Sequence, residues 1–124
     1  MITTKNSPNV PAAIGPYSHV AFDEHYFFTS GQIPILNNEV ILDIKIATKL
    51  VLDRIKILLH ENNLEFKDII KTTIYMIEPE QFNDMNEIYS QYFNLHKPAR
   101  SCVFVKALPK NSPIEIEIIA KKSI

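Results

Sequence analysis

The spacing of apolar positions changes along the chain, and each change predicts an element. Ser18 to Phe22 and His25 to Thr29 are apolar and aromatic and are separated by Asp23-Glu24, which predicts a β-hairpin. Gly31-Gln32-Ile33-Pro34 closes its second strand, because proline cannot donate within a ladder. From residue 43 the period becomes helical. Ala47, Leu50, Val51, Ile55, Leu58 and Leu59 share one broad face, Asp43 is placed to cap the start, and Asn62-Asn63 ends the run. A helix is therefore predicted over 43–62. Ile69 to Ile77 is rich in β-branched residues and reads as a strand. Phe82, Met85, Tyr89, Tyr92 and Phe93 predict a second amphipathic helix over 80–93. Two further strands are predicted over 100–105 and 114–120. In the last, Ile114, Ile116 and Ile118 lie on one face and Glu115 and Glu117 on the other.

This order, β-β-α-β-α-β-β, predicts an α+β fold with two helices packed on one face of a mixed sheet. The isoleucine face of the last strand should meet the helices. Its carboxylate face then meets either water or another subunit. Residues 5–17 carry Pro8, Pro11 and Pro16 and read as an extended loop. With 124 residues and no repeat or linker, the expectation is one domain spanning 1–124.

Composition removes several classes of function. The 46% apolar and 22% charged content is that of a soluble globular chain, and no apolar run is long enough to span a bilayer. The segment Met1 to Asn6 lacks the pattern of a signal peptide, and Cys102 is the single cysteine, so a cytoplasmic location without membrane attachment is expected. The formal net charge is −1 and the lysines are scattered, which argues against nucleic acid as a partner. His19, His25, His60 and His96 show no ligand spacing and no convincing pair, so neither a metal site nor a ribonuclease is expected. Two scarcities carry information. Gly15 and Gly31 are the only glycines, and each should sit where φ is positive or where something approaches closely. Arg54 and Arg100 are the only arginines in a chain that otherwise uses lysine, which hints at a need for a planar two-toothed donor.

Arg100 lies in Pro98-Ala99-Arg100-Ser101-Cys102 and Glu115 in Ile114-Glu115-Ile116. If these are adjacent strands joined by the loop around Leu108 to Pro113, pairing brings Arg100 close to Glu115. The two could then grip a small acid and activate a water. They could equally form a plain ion pair across a hairpin, and for two residues alone that reading is favoured.

The surrounding motifs shift the balance. Ala13-Ile14-Gly15-Pro16-Tyr17, Thr29-Ser30-Gly31-Gln32-Ile33-Pro34, Pro98 to Cys102 and Ile114 to Ile116 occur in this order, with Asp68 to Thr73 between them. Together they closely resemble the Rid (YjgF-like) family of reactive intermediate deaminases, over almost the whole chain, and within it the 2-iminobutanoate/2-iminopropanoate deaminases. The resemblance implies a chorismate-mutase-like fold in a trimeric barrel, with sites between subunits. It implies hydrolytic deamination of small 2-imino acids (2-aminoacrylate/2-iminopropanoate and 2-iminobutanoate) to 2-keto acids and ammonia, without cofactor or metal. By position, it places Arg100 on the substrate carboxylate and Glu115 on the water. Gly31, Cys102, Tyr17, Ser30 and Asn86 would line the pocket.

Plainer roles stand beside these. Tyr17 could only pack, Ser30 could satisfy a strand end, Asn86 could be surface, and Cys102 is better read as a buried strand residue than as a nucleophile. Glu117 reads as an interface or rim charge. Lys97 stands where the family usually has Phe, in a segment 93–97 that is shorter than usual, so substrate range is open. A non-catalytic carboxylate-binding regulator or chaperone-like trimer of the same fold is the alternative function.

Overall fold

The computed structural model describes residues 1–122. Its main sheet contains β1 (Thr3–Lys5), β2 (Val20–Phe22), β3 (Tyr26–Thr29), β6 (Ile69–Met76), β7 (Ala99–Phe104) and β8 (Ile114–Lys121). A small separate hairpin joins β4 (Ile35–Leu36) to β5 (Glu39–Val40). The helices are α1 (Ile44–His60) and α2 (Phe82–Tyr92). The six strands run in the order β1-β2-β3-β8-β6-β7. All neighbours are antiparallel except β6 and β7. This is the expected α+β arrangement of two helices on a mixed sheet.

Local chemistry explains the main elements. The Asp43 carboxylate accepts from the Ile46 N–H at 3.0 Å and starts α1, a cap of the kind that contributes about 1 kcal/mol. Ala47, Val51, Leu52, Ile55, Leu58 and Leu59 are buried along that helix. They pack over Ile74, Met76, Ile114, Ile116 and Ile118 of the sheet. Met85, Tyr89 and Phe93 bring the α2 end into the same core, and the Tyr89 hydroxyl bonds Thr72 Oγ1 of β6 at 2.8 Å. No helix among the described residues is long and apolar enough to cross a membrane.

Several expectations need correction. β1 is wholly exposed, so no alternation marked it, and its pairing with β2 comes from the meeting of chain segments. The β4–β5 hairpin is equally short. Asn37 and Asn38, with φ of 53° and 65°, form its turn in place of glycine. Neither glycine has positive φ.

The largest correction concerns the strands of Arg100 and Glu115, which are not neighbours. β6, α2 and β7 form a β-α-β unit, whose strands pair in parallel. β7 thus becomes an edge, and β8 pairs with the other side of β6. Thr72 of β6 is level with Arg100 on one side and Ile118 on the other, whereas Tyr75 is level with Val103 and Glu115. Arg100 therefore shares the helix-covered face of Ile118, and Glu115 shares the opposite, open face with Tyr75. An intrachain Arg100–Glu115 ion pair is ruled out by this topology.

Candidate functional site

The candidate residues separate into two clefts. The first lies beside α2 and the β7 edge and is lined by Asn86, Tyr89, Ser90, Phe93, Lys97, Pro98 and Arg100, with a volume of about 330 Å³. Arg100 is exposed but held in place. Its Nη1 donates to Asn86 Oδ1 at 2.6 Å. Its guanidinium lies 4.9 Å from the Tyr89 ring centroid and 5.7 Å from that of Phe82, so aromatic faces support it. No ion pair among the described residues includes it. A fixed guanidinium with an unmatched charge is suited to bind an anion in two-toothed geometry. Asn86 is partly buried and holds the guanidinium through an exposed hydrogen bond.

Cys102 follows Arg100 by two residues and shares its face, level with Ile74 of β6. It is half-buried and packs against the core. Burial raises its thiol pKa, and the Arg100 charge only partly opposes that. A neutral strand cysteine results, without the depressed pKa of a nucleophile.

The second cleft lies at the open face and is lined by Ile14, Tyr17, Ser30, Gly31, Ile33, Pro109, Glu115 and Glu117, with a volume of about 390 Å³. A bridge between Gln32 and Ile116 builds it: the Gln32 N–H donates to the Ile116 carbonyl at 2.9 Å, and the Ile116 N–H donates back at 3.1 Å. Gly31 is thereby set against Glu115. A Cβ on Gly31 would lie 2.6 Å from the Glu115 carboxyl carbon and Oε2. The close approach, rather than positive φ, explains why this position suits glycine.

Glu115 is half-buried, and its pKa is raised, first by burial and then by the Glu117 charge. Glu117 has a partner, the Tyr75 hydroxyl, which donates to it at 2.6 Å. Ser30 Oγ donates to the Ser18 carbonyl at 2.5 Å, so it secures the strand end while lining the cleft. The Tyr17 hydroxyl accepts from the Ile14 N–H at 3.3 Å and its side chain is exposed.

The sequence motifs thus assemble into two groups. Tyr17, Ser30, Gly31 and Glu115 come together, as do Asn86, Arg100 and Cys102. The described chain does not unite the groups. Sequence reasoning did not single out Tyr89 and Phe82 as supports for Arg100. Their helical spacing placed them in the core stripe, and only the β7 edge position brings the guanidinium across their rings.

Comparison with known proteins bears on this pattern. A family model described as endoribonuclease L-PSP matches residues 7–122. The putative regulator AldR of Lactococcus lactis is 43% identical over 116 residues, covering 91% of this chain and 92% of that one. The putative reactive intermediate deaminase TdcF of Escherichia coli is 39% identical over 118 residues, covering 91% and 92%. The crystal structure of E. coli TdcF with bound serine superposes with a TM-score of 0.92 at 36% identity, covering 98% of this chain and 99% of that one. YyfA of Yersinia pestis, a protein of the Rid family, superposes with a TM-score of 0.94 at 36% identity, over 98% of this chain and 100% of that one. On sequence and fold together, this chain belongs to the Rid (YjgF-like) family.

Proposed function

We propose that the protein hydrolyses small 2-imino acids to 2-keto acids and ammonia, in a cytoplasmic homotrimer whose sites lie between subunits. One observation carries this reading: Arg100 and Glu115 lie on opposite faces of one sheet, each in its own open cleft. A site that uses both needs two copies of the chain. The name of TdcF supports the deaminase chemistry.

In this scheme the Arg100 guanidinium of one copy takes the substrate carboxylate, with Asn86 and the rings of Tyr89 and Phe82 holding it. The neighbouring copy contributes Glu115, with Gly31 and Tyr17 forming the wall. Glu115 accepts a proton as the water oxygen bonds to the imine carbon, and the C=N electrons move to nitrogen. With the imine protonated at the start, the Glu115 carboxyl then returns its proton to the carbinolamine nitrogen, the C–N bond breaks, and the hydroxyl proton passes to Glu115 as the carbonyl forms and ammonia leaves. A carboxylate with a raised pKa suits both halves of this proton exchange. The scheme uses no metal or cofactor.

The test generates 2-aminoacrylate or 2-iminobutanoate with a dehydratase and follows imine loss by trapping. Faster loss with purified protein, abolished in Glu115→Gln, is the expected outcome. No acceleration by the wild type defeats the enzyme reading. The similarity to a putative regulator favours a second reading, a sensor that binds the acid without turnover. Tight 2-keto acid binding with unchanged imine loss would establish it. The ribonuclease suggested by the family description gains no support from the buried histidine. His19 Nδ1 accepts from the Ser7 N–H and its Nε2 faces the Pro11 carbonyl, so both ring nitrogens are already engaged by backbone groups.

A further inference from the structure

Arg54, the other arginine, has no part in the site above. It projects from α1, and its Nη1 is sealed from solvent with no protein acceptor. A buried guanidinium donor without a partner is rare, because its lost hydration goes uncompensated. Its neighbour Asp53 does not serve as that partner, since the Asp53 carboxylate takes Lys49 Nζ at 2.8 Å and the Tyr92 hydroxyl at 2.6 Å. Burial pushes the guanidinium pKa down and the Asp53 charge opposes this, yet an arginine keeps its proton.

Arg54 opens on a cleft of about 340 Å³ that it shares with Lys110, Asn37, Asn38 and an apolar wall including Ile14 and Ile35. The lining holds two cations and no carboxylate. Lys110 is fixed in a left-handed turn, with φ of 55° and ψ of 26°. Asn37 and Asn38 form the β4–β5 turn at the rim and offer side-chain amides. Ile14 also lines the Glu115 cleft, and Pro109 lines that cleft while Lys110 lines this one. The two clefts are therefore neighbours that share Ile14.

We propose that the Arg54–Lys110 cleft is a second ligand site, one that takes a phosphate monoester. Two positive charges match a dianion better than the single charge of a simple carboxylic acid. The guanidinium edge away from the sealed Nη1, formed by Nε and Nη2, is the two-toothed donor for two phosphate oxygens, and the isoleucines give a small carbon skeleton somewhere to pack. The site does not depend on the imine chemistry and does not use Arg100.

Calorimetric titration at constant ionic strength with phenyl phosphate and inorganic phosphate tests this. Phenyl phosphate should bind one per chain and more tightly than inorganic phosphate. Arg54→Gln should weaken it by about tenfold or more, and Lys110→Gln by roughly threefold to tenfold. Arg100→Gln should leave the affinity unchanged. Lys110 is exposed, so its variant keeps the test available if Arg54→Gln does not fold. Absence of saturable binding, indifference to Lys110→Gln, or loss of binding in Arg100→Gln overturns the proposal. Equal affinity for the two probes overturns its monoester part.

Discussion

Arg100 and Glu115 belong to one sheet, and its two faces treat their charges in different ways. On the helix side, the Arg100 cation stays exposed at an edge strand and is oriented by Asn86, Tyr89 and Phe82. On the open side, the Glu115 carboxylate is half-buried beside Glu117, and both surroundings favour its protonated form. The cation gains direction and keeps its hydration. The carboxylate gives up hydration and gains basicity. In the proposed function, these are the separate needs of a group that holds a substrate and a group that moves a proton. They are hard to meet on one face, since adjacency would pair the two charges and cancel both properties.

The sharpest way to break this comparison is to remove the cation. Arg100→Ala should lower kcat/KM for 2-imino acids by roughly 100- to 1000-fold, the loss of a two-toothed charged contact. Arg100→Lys should recover little, because the fork geometry is gone. Thermal stability should hardly move, since Arg100 is exposed and has no ion-pair partner among the described residues. Steady-state kinetics with a melting curve checks both halves. A large loss of stability in Arg100→Ala would mean that its stacking on Tyr89 and Phe82 is structural.

The opposite face is tested without touching its carboxylate. In Gly31→Ala the new methyl would overlap Glu115, whose Cγ, carboxyl carbon and Oε2 all lie within 3 Å of it. Something has to shift, and the flexible carboxylate is the part able to do so. A fall of about tenfold in kcat with little change in folding is expected, because a misplaced base loses alignment more than it loses binding. A fall confined to KM would instead assign Gly31 to substrate contact.

Much of this site could be read in the sequence, and one decisive feature could not. The period-two alternation of Ile114 to Glu117 assigns both faces of β8, because a strand has only two. Asp43 at the α1 cap and the buried face of α1 follow from equally local rules. Strand order is not local. The loop 105–113 suggested a hairpin between β7 and β8, but the strand-helix-strand order of residues 69–104 demands parallel pairing and takes the place beside β7. That order, read first, would have separated Arg100 from Glu115. The short β1 and the β4–β5 hairpin carried too few residues for any period to emerge.

The separation of faces makes a quantitative prediction for mixed assemblies. Co-expressed Arg100→Ala and Glu115→Gln chains are each inactive alone. If sites form between copies, random mixing leaves about a quarter of sites with both residues intact, by the geometry of a closed ring. Activity near a quarter of wild type is therefore expected in the co-purified mixture. Sites contained within one chain would stay inactive in the mixture, which would remove the intersubunit reading while leaving the Arg100 kinetics unexplained.

The smallest effect concerns the cost of keeping Glu115 basic. Its native pKa lies above the ordinary carboxylate value of 4.5. The native state thus holds the proton more tightly than the unfolded chain does. As pH rises through the interval between the two values, the unfolded chain binds fewer protons, and stability falls. Below both values Glu115 is protonated in either state and the penalty vanishes. Above both, the penalty is complete. Glu115→Gln cannot ionise, so it should raise Tm at pH 7 by about 2 °C, a modest figure because a half-exposed group is partly screened by water. At pH 4 the two melting curves should converge. The same substitution that stops proton transfer would then stabilise the fold, as expected where a functional group is held against its hydration. Equal Tm values at pH 7 would show that Glu115 is as well solvated as a surface carboxylate, and the contrast between the two faces would lose its electrostatic half.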